Sequence, residues 1–218
     1  MLKRLANNTD PGSLATRLRR ARFAFFLDLL ARLKGELRIL DVGGSVEFWK
    51  MMGLAQPRLQ LTILNQTFGP ADQAAENIVV GDARNMIGFR DREFDVAFSN
   101  SVIEHVGTYV DQQRMAAEVR RVAARYFVQT PNKYFPIEPH FLVPGFQFLP
   151  LRVRAELLAR RDLGWYKRAA SYAEALREVT AVRLLTRREL CELFPEATLY
   201  RERLLGLTKS FVAYHGWD

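Results

Sequence analysis

Residues 38–45 read Arg-Ile-Leu-Asp-Val-Gly-Gly-Ser, and this stretch decides the fold. An apolar run ends in Asp41, and two glycines follow at the point where a buried strand must turn into a helix. Glycine lets a ligand approach bare backbone, and the start of the following helix offers unpaired N–H groups. In open α/β sheets, ligands bind at the carboxyl ends of the strands. We therefore take Asp41, Gly43, Gly44 and Ser45 as candidate ligand-binding residues.

Four more short apolar runs follow this turn, at residues 59–64, 77–80, 94–98 and 126–129. Each is bounded by Gly, Asn, Asp or Pro, which is typical of β-strands. Polar or small residues follow the first three runs, and the candidates among them are Asn65, Gln66, Asp82, Ala83 and Asn100.

Helical spacing is clearest between residues 109 and 124, where Val110, Met115, Val119 and Val122 recur along one side. The alternation of strands and helices predicts an α/β fold with a parallel sheet and helices on both faces. Two strands are predicted near residues 198–204 and 208–214. They are too close for a crossover helix, so an antiparallel C-terminal hairpin at the sheet edge is expected.

The order of these motifs resembles that of the class I S-adenosylmethionine-dependent methyltransferases, over about residues 36–215, and within them a bacterial, methyltransferase-domain type 11-like subgroup. The resemblance rests on Asp-x-Gly-Gly at 41–44, Gly-Asp-Ala at 81–83 and Phe-Asp-x-x-x-Ser-Asn-Ser-x-x-Glu-His at 94–105. It implies a Rossmann-like, mostly parallel seven-stranded sheet and S-adenosyl-L-methionine as cofactor. It also implies that Asp82 accepts a hydrogen bond from the adenine amino group.

Two positions depart from the family pattern. The glycines are adjacent rather than spaced Gly-x-Gly, and the second strand ends in Asn65 where the family has an acid that binds the ribose hydroxyls. An amide oxygen accepts a hydroxyl proton without charge assistance. An aspartate at position 65 is therefore expected to bind the cofactor more tightly.

A nicotinamide dinucleotide-binding fold is the nearest competitor. Its fingerprint needs Gly-x-Gly-x-x-Gly, but no glycine follows Gly44 until Gly53. A pyrophosphate would also meet the carboxylate of Asp41. The sulfonium and ammonium of S-adenosylmethionine are attracted to an acid at this position, which favours the methyl donor.

The N-terminal segment, residues 1–35, is predicted to be a basic amphipathic helix packed on a methyltransferase domain at 36–218. Residues 1–40 carry +6 of the chain's net +8, and Ser13 is a candidate N-cap of a helix running to about residue 33. The expected arrangement packs this helix on the sheet or over the cofactor, with its arginines in solvent. Such a helix can also make a peripheral contact with an anionic membrane. Nucleic acid is disfavoured, because the aromatic residues cluster as a core would.

Composition favours a single enzyme domain of 218 residues with one cysteine, which excludes an internal disulfide. No segment has about 20 apolar residues, and no signal peptide is evident, so a cytoplasmic location is expected. Residues 131–179 are predicted to form an insertion that serves as lid and acceptor pocket. It begins with five prolines in 20 residues, which prevents continuous helix or sheet.

The chain has three histidines. His105 follows the fourth strand and His140 lies in the insertion, so both are candidate catalytic bases for a hydroxyl acceptor. His215 lies near the end of the sequence and is expected to be inert. Small-RNA 2′-O-methyltransferases carry Glu-x-x-Glu-His plus a distant His and bind a divalent ion. Here Ser101 replaces the first acid, so no metal site is predicted, although Glu104 and the two histidines leave a three-ligand set open.

The main hypothesis is therefore an S-adenosylmethionine-dependent enzyme that methylates an oxygen of a small-molecule, lipid or glycan acceptor. One alternative is a non-catalytic S-adenosylmethionine-binding module. Another is a divalent-metal-assisted O-methyltransferase with RNA among its candidate acceptors.

Overall fold

A seven-stranded sheet forms the centre of the molecule, in the order β3-β2-β1-β4-β5-β7-β6. The structure is a computed structural model that describes residues 2–7, 10, 12–53, 57–68 and 77–217. The strands are β1 (Leu37–Val42), β2 (Leu59–Asn65), β3 (Ile78–Val80), β4 (Phe94–Asn100), β5 (Ala123–Pro131), β6 (Thr198–Leu204) and β7 (Leu207–His215).

The first five strands run parallel to one another, and β7 runs antiparallel to both β5 and β6. Only Leu205 and Gly206 separate β6 from β7, and both have positive φ, 50° and 81°. A two-residue turn of this kind matches the twist of a hairpin. These observations confirm the predicted Rossmann-like sheet and its antiparallel C-terminal hairpin.

Seven α-helices surround the sheet in the described residues. They are α1 (Leu2–Ala6), α2 (Leu14–Ala31), α3 (Val46–Met52), α4 (Tyr109–Val122), α5 (Leu151–Arg160), α6 (Tyr172–Thr180) and α7 (Arg187–Leu193). Side-chain caps fix several of their starts: Ser13 caps α2, as predicted, and Thr108 and Thr186 close capping boxes on α4 and α7. The apolar side predicted for α4 is wrong at one position, because Val110 is 54% exposed.

The two faces of the sheet carry different helices because side chains alternate along each strand. Leu40 and Val42 of β1 pack on the face covered by α4 and α7. Leu37 and Ile39 pack on the other face, under α2 and α3. Asp41 has the same parity as Leu37 and Ile39, so its side chain points toward α3.

Helix α2 lies against the sheet through Phe23, Phe26, Leu29 and Leu30, all buried. The prediction that its arginines lie in solvent is wrong for Arg22, which is 7% exposed. Its guanidinium is bonded to the carboxylate of Glu202 on β6. Helical spacing explains this, since Arg22 shares a stripe with Phe26 and Leu29 at i, i+4 and i+7.

Residues 131–179 leave the sheet after β5 and build a small core of their own. Phe141, Phe146, Leu158 and Val179 are buried in it, and α5 packs on α6. Between residues 132 and 150 the described helical structure is one short 3₁₀ turn, Phe146–Phe148. Among the described helices, none is long and apolar enough to cross a bilayer.

Candidate functional site

The turn between β1 and α3 can be built only with glycine at both positions. Gly43 has a φ of 78°, and a Cβ there would lie 2.4 Å from Cγ1 of Val102. A Cβ on Gly44 would lie 1.6 Å from Oδ2 of Asp41. Ser45 then starts α3, because its hydroxyl accepts a hydrogen bond from the backbone N–H of Phe48 at 3.3 Å. With two adjacent glycines instead of the family's Gly-x-Gly, the backbone of Gly44 packs directly against the carboxyl group of Asp41.

Asp41 is a buried carboxyl group beside this turn. Its exposed fraction is 1%, and Nε1 of Trp49 donates a hydrogen bond to its Oδ2 at 2.6 Å. Burial raises the pKa of Asp41 to about 7, although the bond from Trp49 opposes the shift. A cationic ligand would favour the ionised form.

A cavity of ≈ 210 Å³ opens at this turn, at the carboxyl ends of β1, β2 and β4. It lies where the chain's strand order reverses direction, which is the usual ligand crevice of such sheets. The cavity brings together six of the predicted residues: Asp41, Gly43, Gly44, Ser45, Asn65 and Asn100. Sequence reasoning missed three other lining residues: Arg19, Phe48 and Phe98.

Arg19 extends from α2 into the cavity wall, so the expectation of a solvated arginine is wrong here too. Its Nε is buried without a hydrogen-bond partner among the described residues, and its guanidinium lies 5.8 Å from the ring centre of Phe48. Burial, with the charge of Arg22, lowers the pKa of Arg19 to about 10. The helical spacing of Arg19, Phe23 and Phe26 was the signal that could have placed it on the buried stripe.

These residues fit S-adenosylmethionine. An unpartnered guanidinium suits its carboxylate, and a buried carboxyl group suits its ammonium or sulfonium. The glycine turn removes the side chains that would otherwise fill the crevice. The fit rests on Arg19 of α2, which is cationic, and on Asp41 of β1, which is anionic when ionised.

Asn65 lines the cavity, but its amide is already engaged. Its Nδ2 donates to the carbonyl oxygen of Gly44 at 3.0 Å, and its Oδ1 accepts from the backbone N–H of Gln66 at 2.8 Å. These two partners fix the orientation of the amide, since one can only accept and the other can only donate. This geometry favours the opposite effect, because an aspartate has no hydrogen to donate to the carbonyl oxygen of Gly44.

Three further candidates lie outside the cavity lining. The carboxylate of Asp82 pairs with Arg84, whose Nε and terminal nitrogen lie 2.9 Å and 2.6 Å from its oxygens. Gln66 also hydrogen-bonds to Asp82, which joins the ends of β2 and β3. The methyl group of Ala83 packs in the core. The structure therefore groups Gln66, Asp82 and Ala83 at the neighbouring strand end rather than at the glycine turn.

The two candidate bases meet, although 35 residues separate them in the sequence. Nε2 of His105 lies 3.1 Å from Nε2 of His140. Nδ1 of His140 lies 2.7 Å from Oε1 of Glu138, a carboxylate whose side chain is 3% exposed. Burial acts to lower the pKa of His140, but the hydrogen bond and charge of Glu138 outweigh it and raise the pKa. Burial, together with the charge of His140, lowers the pKa of His105 to about 4.

Glu104 lies behind this pair and is fully buried. Its Oε2 accepts a hydrogen bond from Thr130 at 3.0 Å, whereas Oε1 has no partner among the described residues. Burial raises the pKa of Glu104 to about 7. Ligand atoms of Glu104, His105 and His140 all lie within 4.8 Å of one another. Ser101, which replaces the missing acid, donates to Oε1 of Gln129 at 2.7 Å instead.

His215 lies on the opposite edge of the sheet. It pairs with Tyr126 near the amino end of β5, whereas Pro131 at the carboxyl end pairs with Ser210. Its Nδ1 lies 3.1 Å from the carbonyl oxygen of Glu196. His215 thus lies at the end of β7 and far along β5 from the candidate site.

Residues 40–125 match the family described as a methyltransferase domain. Together with the sheet order and the glycine turn, this match supports the predicted resemblance to the class I S-adenosylmethionine-dependent methyltransferases, for which S-adenosylmethionine is the expected cofactor. The matched residues contain the end of β1 and all of β2, β3, β4 and α4, in the half of the sheet that carries the cavity.

The curated relatives include the uncharacterised protein Rv1509 of Mycobacterium tuberculosis (strain ATCC 25618 / H37Rv), 33% identical over 139 residues. The match covers 58% of this chain and 47% of Rv1509, so the chain spans about half the length of the curated relatives it matches.

Solved structures share the fold at low identity. An S-adenosylmethionine-dependent methyltransferase from Methanosarcina mazei is 16% identical with a TM-score of 0.50, covering 85% of this chain and 94% of its own. A protein from Rhodobacter sphaeroides described as a putative Zn-dependent alcohol dehydrogenase is 12% identical with a TM-score of 0.57, covering 85% of each chain. The fold is thus common to proteins with different descriptions, and the family match and the turn distinguish this chain.

Proposed function

We propose that the chain transfers the methyl group of S-adenosylmethionine to an oxygen atom of a small-molecule, lipid or glycan acceptor. The contact of His105 with His140 at the carboxyl edge of the sheet carries this proposal. S-adenosylmethionine supplies an already activated methyl group, so the protein needs to align the acceptor and remove a proton from a hydroxyl.

The hydrogen bonds of the two histidines define a route for that proton. Glu138 is a carboxylate, so the Nδ1 of His140 that faces it carries a hydrogen. The two Nε2 atoms share one hydrogen between them. When His105 holds that hydrogen, its Nδ1 is free to accept the acceptor's proton while Nε2 passes its own to His140. The resulting imidazolium of His140 faces Glu138, which stabilises it.

Single substitutions test this route. We expect His105→Ala and His140→Ala each to lower turnover by about 10²–10⁴, the usual contribution of a general base. Affinity for S-adenosylhomocysteine should stay unchanged, because neither histidine lines the cavity at the glycine turn. His215→Ala is the matched control and should keep full turnover. The measurements are S-adenosylhomocysteine release over a panel of hydroxyl-bearing acceptors and calorimetry with S-adenosylhomocysteine.

Each outcome separates the candidate functions. Near-normal turnover in both variants would contradict the base route and favour alignment alone, as for an acceptor that is already ionised. Tight cofactor binding without release over the whole panel would favour the non-catalytic binding module.

A metal-assisted reaction is a second candidate, supported by the cluster of Glu104, His105 and His140. Two buried carboxylates, Glu104 and Glu138, stand beside two imidazoles, and one divalent cation would balance their charge. In metal sites, a carboxylate commonly accepts a hydrogen bond from the histidine nitrogen that does not bind the metal, and this orients the ring. Glu138 is placed to do this for His140, because its Oε1 lies 2.7 Å from Nδ1. Such an ion would lower the pKa of a bound hydroxyl and replace the histidine base.

Metal removal distinguishes the two reactions. The base route predicts that turnover survives a chelator, whereas the metal-assisted route predicts loss and recovery on adding Mn²⁺, Co²⁺ or Zn²⁺. Titration of the purified protein with Co²⁺ provides a readout without turnover. The metal-assisted route further predicts that Glu104→Gln abolishes Co²⁺ binding while His215→Ala retains it.

A further inference from the structure

A second cavity, of ≈ 130 Å³, lies inside the 131–179 insertion and its junction with the segment after α6. Its wall contains Lys133, Glu138, Arg154 and Arg183 among apolar side chains such as Phe141 and Leu184. Ligand pockets for whole small molecules are usually about 300–1,000 Å³. This cavity therefore has the size of a subsite for one group of a larger ligand.

Two of the four charged groups on its wall already have polar partners. Oε1 of Glu138 bonds to His140, and its Oε2 accepts from the backbone N–H groups of His140 and Phe141 at 2.7 Å and 2.6 Å. Arg183 pairs with Glu189 at 2.5 Å and donates to Oε1 of Gln112 at 2.7 Å. Glu138 and Arg183 therefore stabilise the cavity wall through these bonds.

The other two charged groups, Lys133 and Arg154, have no such partner. Within the part of the chain that the structure describes, neither of them forms an ion pair. Nε of Arg154 is buried without a hydrogen-bond partner among the described residues, and burial lowers the pKa of this guanidinium, although the charge of nearby Glu138 opposes the shift. A half-buried cation that forms no direct ion pair costs stability. An anion bound in the cavity would remove that cost.

We propose that this cavity binds an oxyanion, a carboxylate or a phosphate, of the methyl acceptor, through Arg154 and Lys133. This inference rests on the proposed function, because it takes the bound anion to be part of the methyl acceptor. Glu138 connects the cavity wall to His140, since its Oε1 lies 2.7 Å from Nδ1 of that histidine. An acceptor held by its anion there would extend toward the histidine pair. The apolar side chains of the wall favour an acid on an organic body over a strongly hydrated ion.

The probes are acetate and inorganic phosphate, titrated at constant ionic strength, with acetamide as the uncharged isostere of acetate. We expect saturable binding of one or both anions, seen by calorimetry and by a rise in Tm, and none of acetamide. Arg154→Gln and Lys133→Gln should each weaken the anion at least about tenfold, as loss of a charge-assisted hydrogen bond does. Arg152→Gln, an exposed arginine on the same helix, makes the same charge change and should leave the affinity unaltered.

Several outcomes would overturn the inference: no saturable anion binding, equal weakening in Arg152→Gln and Arg154→Gln, or acetamide binding as well as acetate. Binding of acetate alone identifies a carboxylate, and binding of phosphate alone identifies a phosphate. S-adenosylhomocysteine affinity is measured in the same variants and should not change. A matching loss there would assign the cavity to the cofactor instead. Anion binding in a protein that shows no methyl transfer would refute the proposed function and leave the anion site standing.

Discussion

At the scale of single residues, the amide of Asn65 stabilises the glycine turn between β1 and α3. It donates to Gly44 and accepts from Gln66, so it joins the end of β2 to the loop after β1. A carboxylate could not reproduce this, because it has no hydrogen to donate to a carbonyl. The position that looked like a weakened ribose ligand is thus a structural bond of the turn.

We expect Asn65→Asp to weaken S-adenosylhomocysteine binding by about 5–30-fold, since one buried carbonyl loses its donor and faces a negative charge, a loss of about 1–2 kcal/mol. Calorimetry measures the effect. Gln113→Glu, the same amide-to-acid change at an exposed site on α4, should bind normally. Tighter binding in Asn65→Asp would mean that a direct bond to the ribose outweighs the bond to Gly44.

At the scale of secondary structure, one buried ion pair connects α2 to the far edge strand β6. Glu202 is bonded to Arg22, and Lys209 and Ser210 approach it at 3.4 Å and 2.8 Å. Burial acts to raise the pKa of Glu202, but the charges of Arg22 and Lys209 outweigh it and lower the pKa. The pair fixes the rotation of α2, and with it the position of Arg19 at the cofactor cavity.

Removing one partner should be more costly than removing both. We expect Arg22→Met to lower the free energy of unfolding by about 3–5 kcal/mol, because it leaves a buried carboxylate without its main counter-charge. Arg22→Met with Glu202→Leu should recover most of this loss. Arg20→Met, an exposed change on the same helix, is the control, and denaturant unfolding at pH 7 is the measurement.

The pH dependence follows from the lowered pKa of Glu202. A depressed folded-state pKa contributes stability above the unfolded pKa, about 4.3, and that stability is lost as pH falls through the folded value. The cost of Arg22→Met should therefore shrink below pH 4. A cost that stays constant down to pH 2 would contradict the ion pair as its cause.

At the scale of the whole molecule, the burial of Asp41 at the proposed cofactor site lowers folding stability. Asp41 is buried between β1 and α3 with a pKa of about 7, against an ordinary value of 3.8. A raised folded-state pKa contributes stability below the unfolded pKa, and this is lost as pH rises toward the folded pKa. The protein without cofactor should therefore lose stability between about pH 4 and 7 through this group.

Asp41→Asn should remove this loss. We compare the free energy of unfolding of the variant with that of the unaltered protein. Between pH 4 and 7 this difference should shift in favour of the variant by at most about 1.4 kcal/mol per pH unit, and above pH 7 it should stay constant. Glu104 has a raised pKa as well, but it is present in both proteins and cancels. Asp28→Asn, an exposed change on α2, should show no such trend. Parallel stability profiles for the Asp41→Asn variant and the unaltered protein would refute the buried titration.

The sequence by itself determined the features that depend on neighbouring residues. The strand-turn-helix at Asp41–Gly44 and the cap at Ser13 follow from backbone freedom and local hydrogen bonds, and the C-terminal hairpin follows from the short connection between its strands. A short window of sequence contains each of these signals. The order of those signals was enough to predict the sheet and the class of protein.

Only the tertiary structure decided which distant side chains meet. His105 faces His140 because the insertion folds back over the end of β4, and Arg22 reaches Glu202 across 180 residues because α2 packs beside the edge hairpin. Such contacts depend on the path of the chain between them, which carries no periodic signal in the sequence. The same reason explains the bond from Asn65 to Gly44, because the end of β2 and the glycine turn meet only when separate elements pack at the carboxyl edge of the sheet.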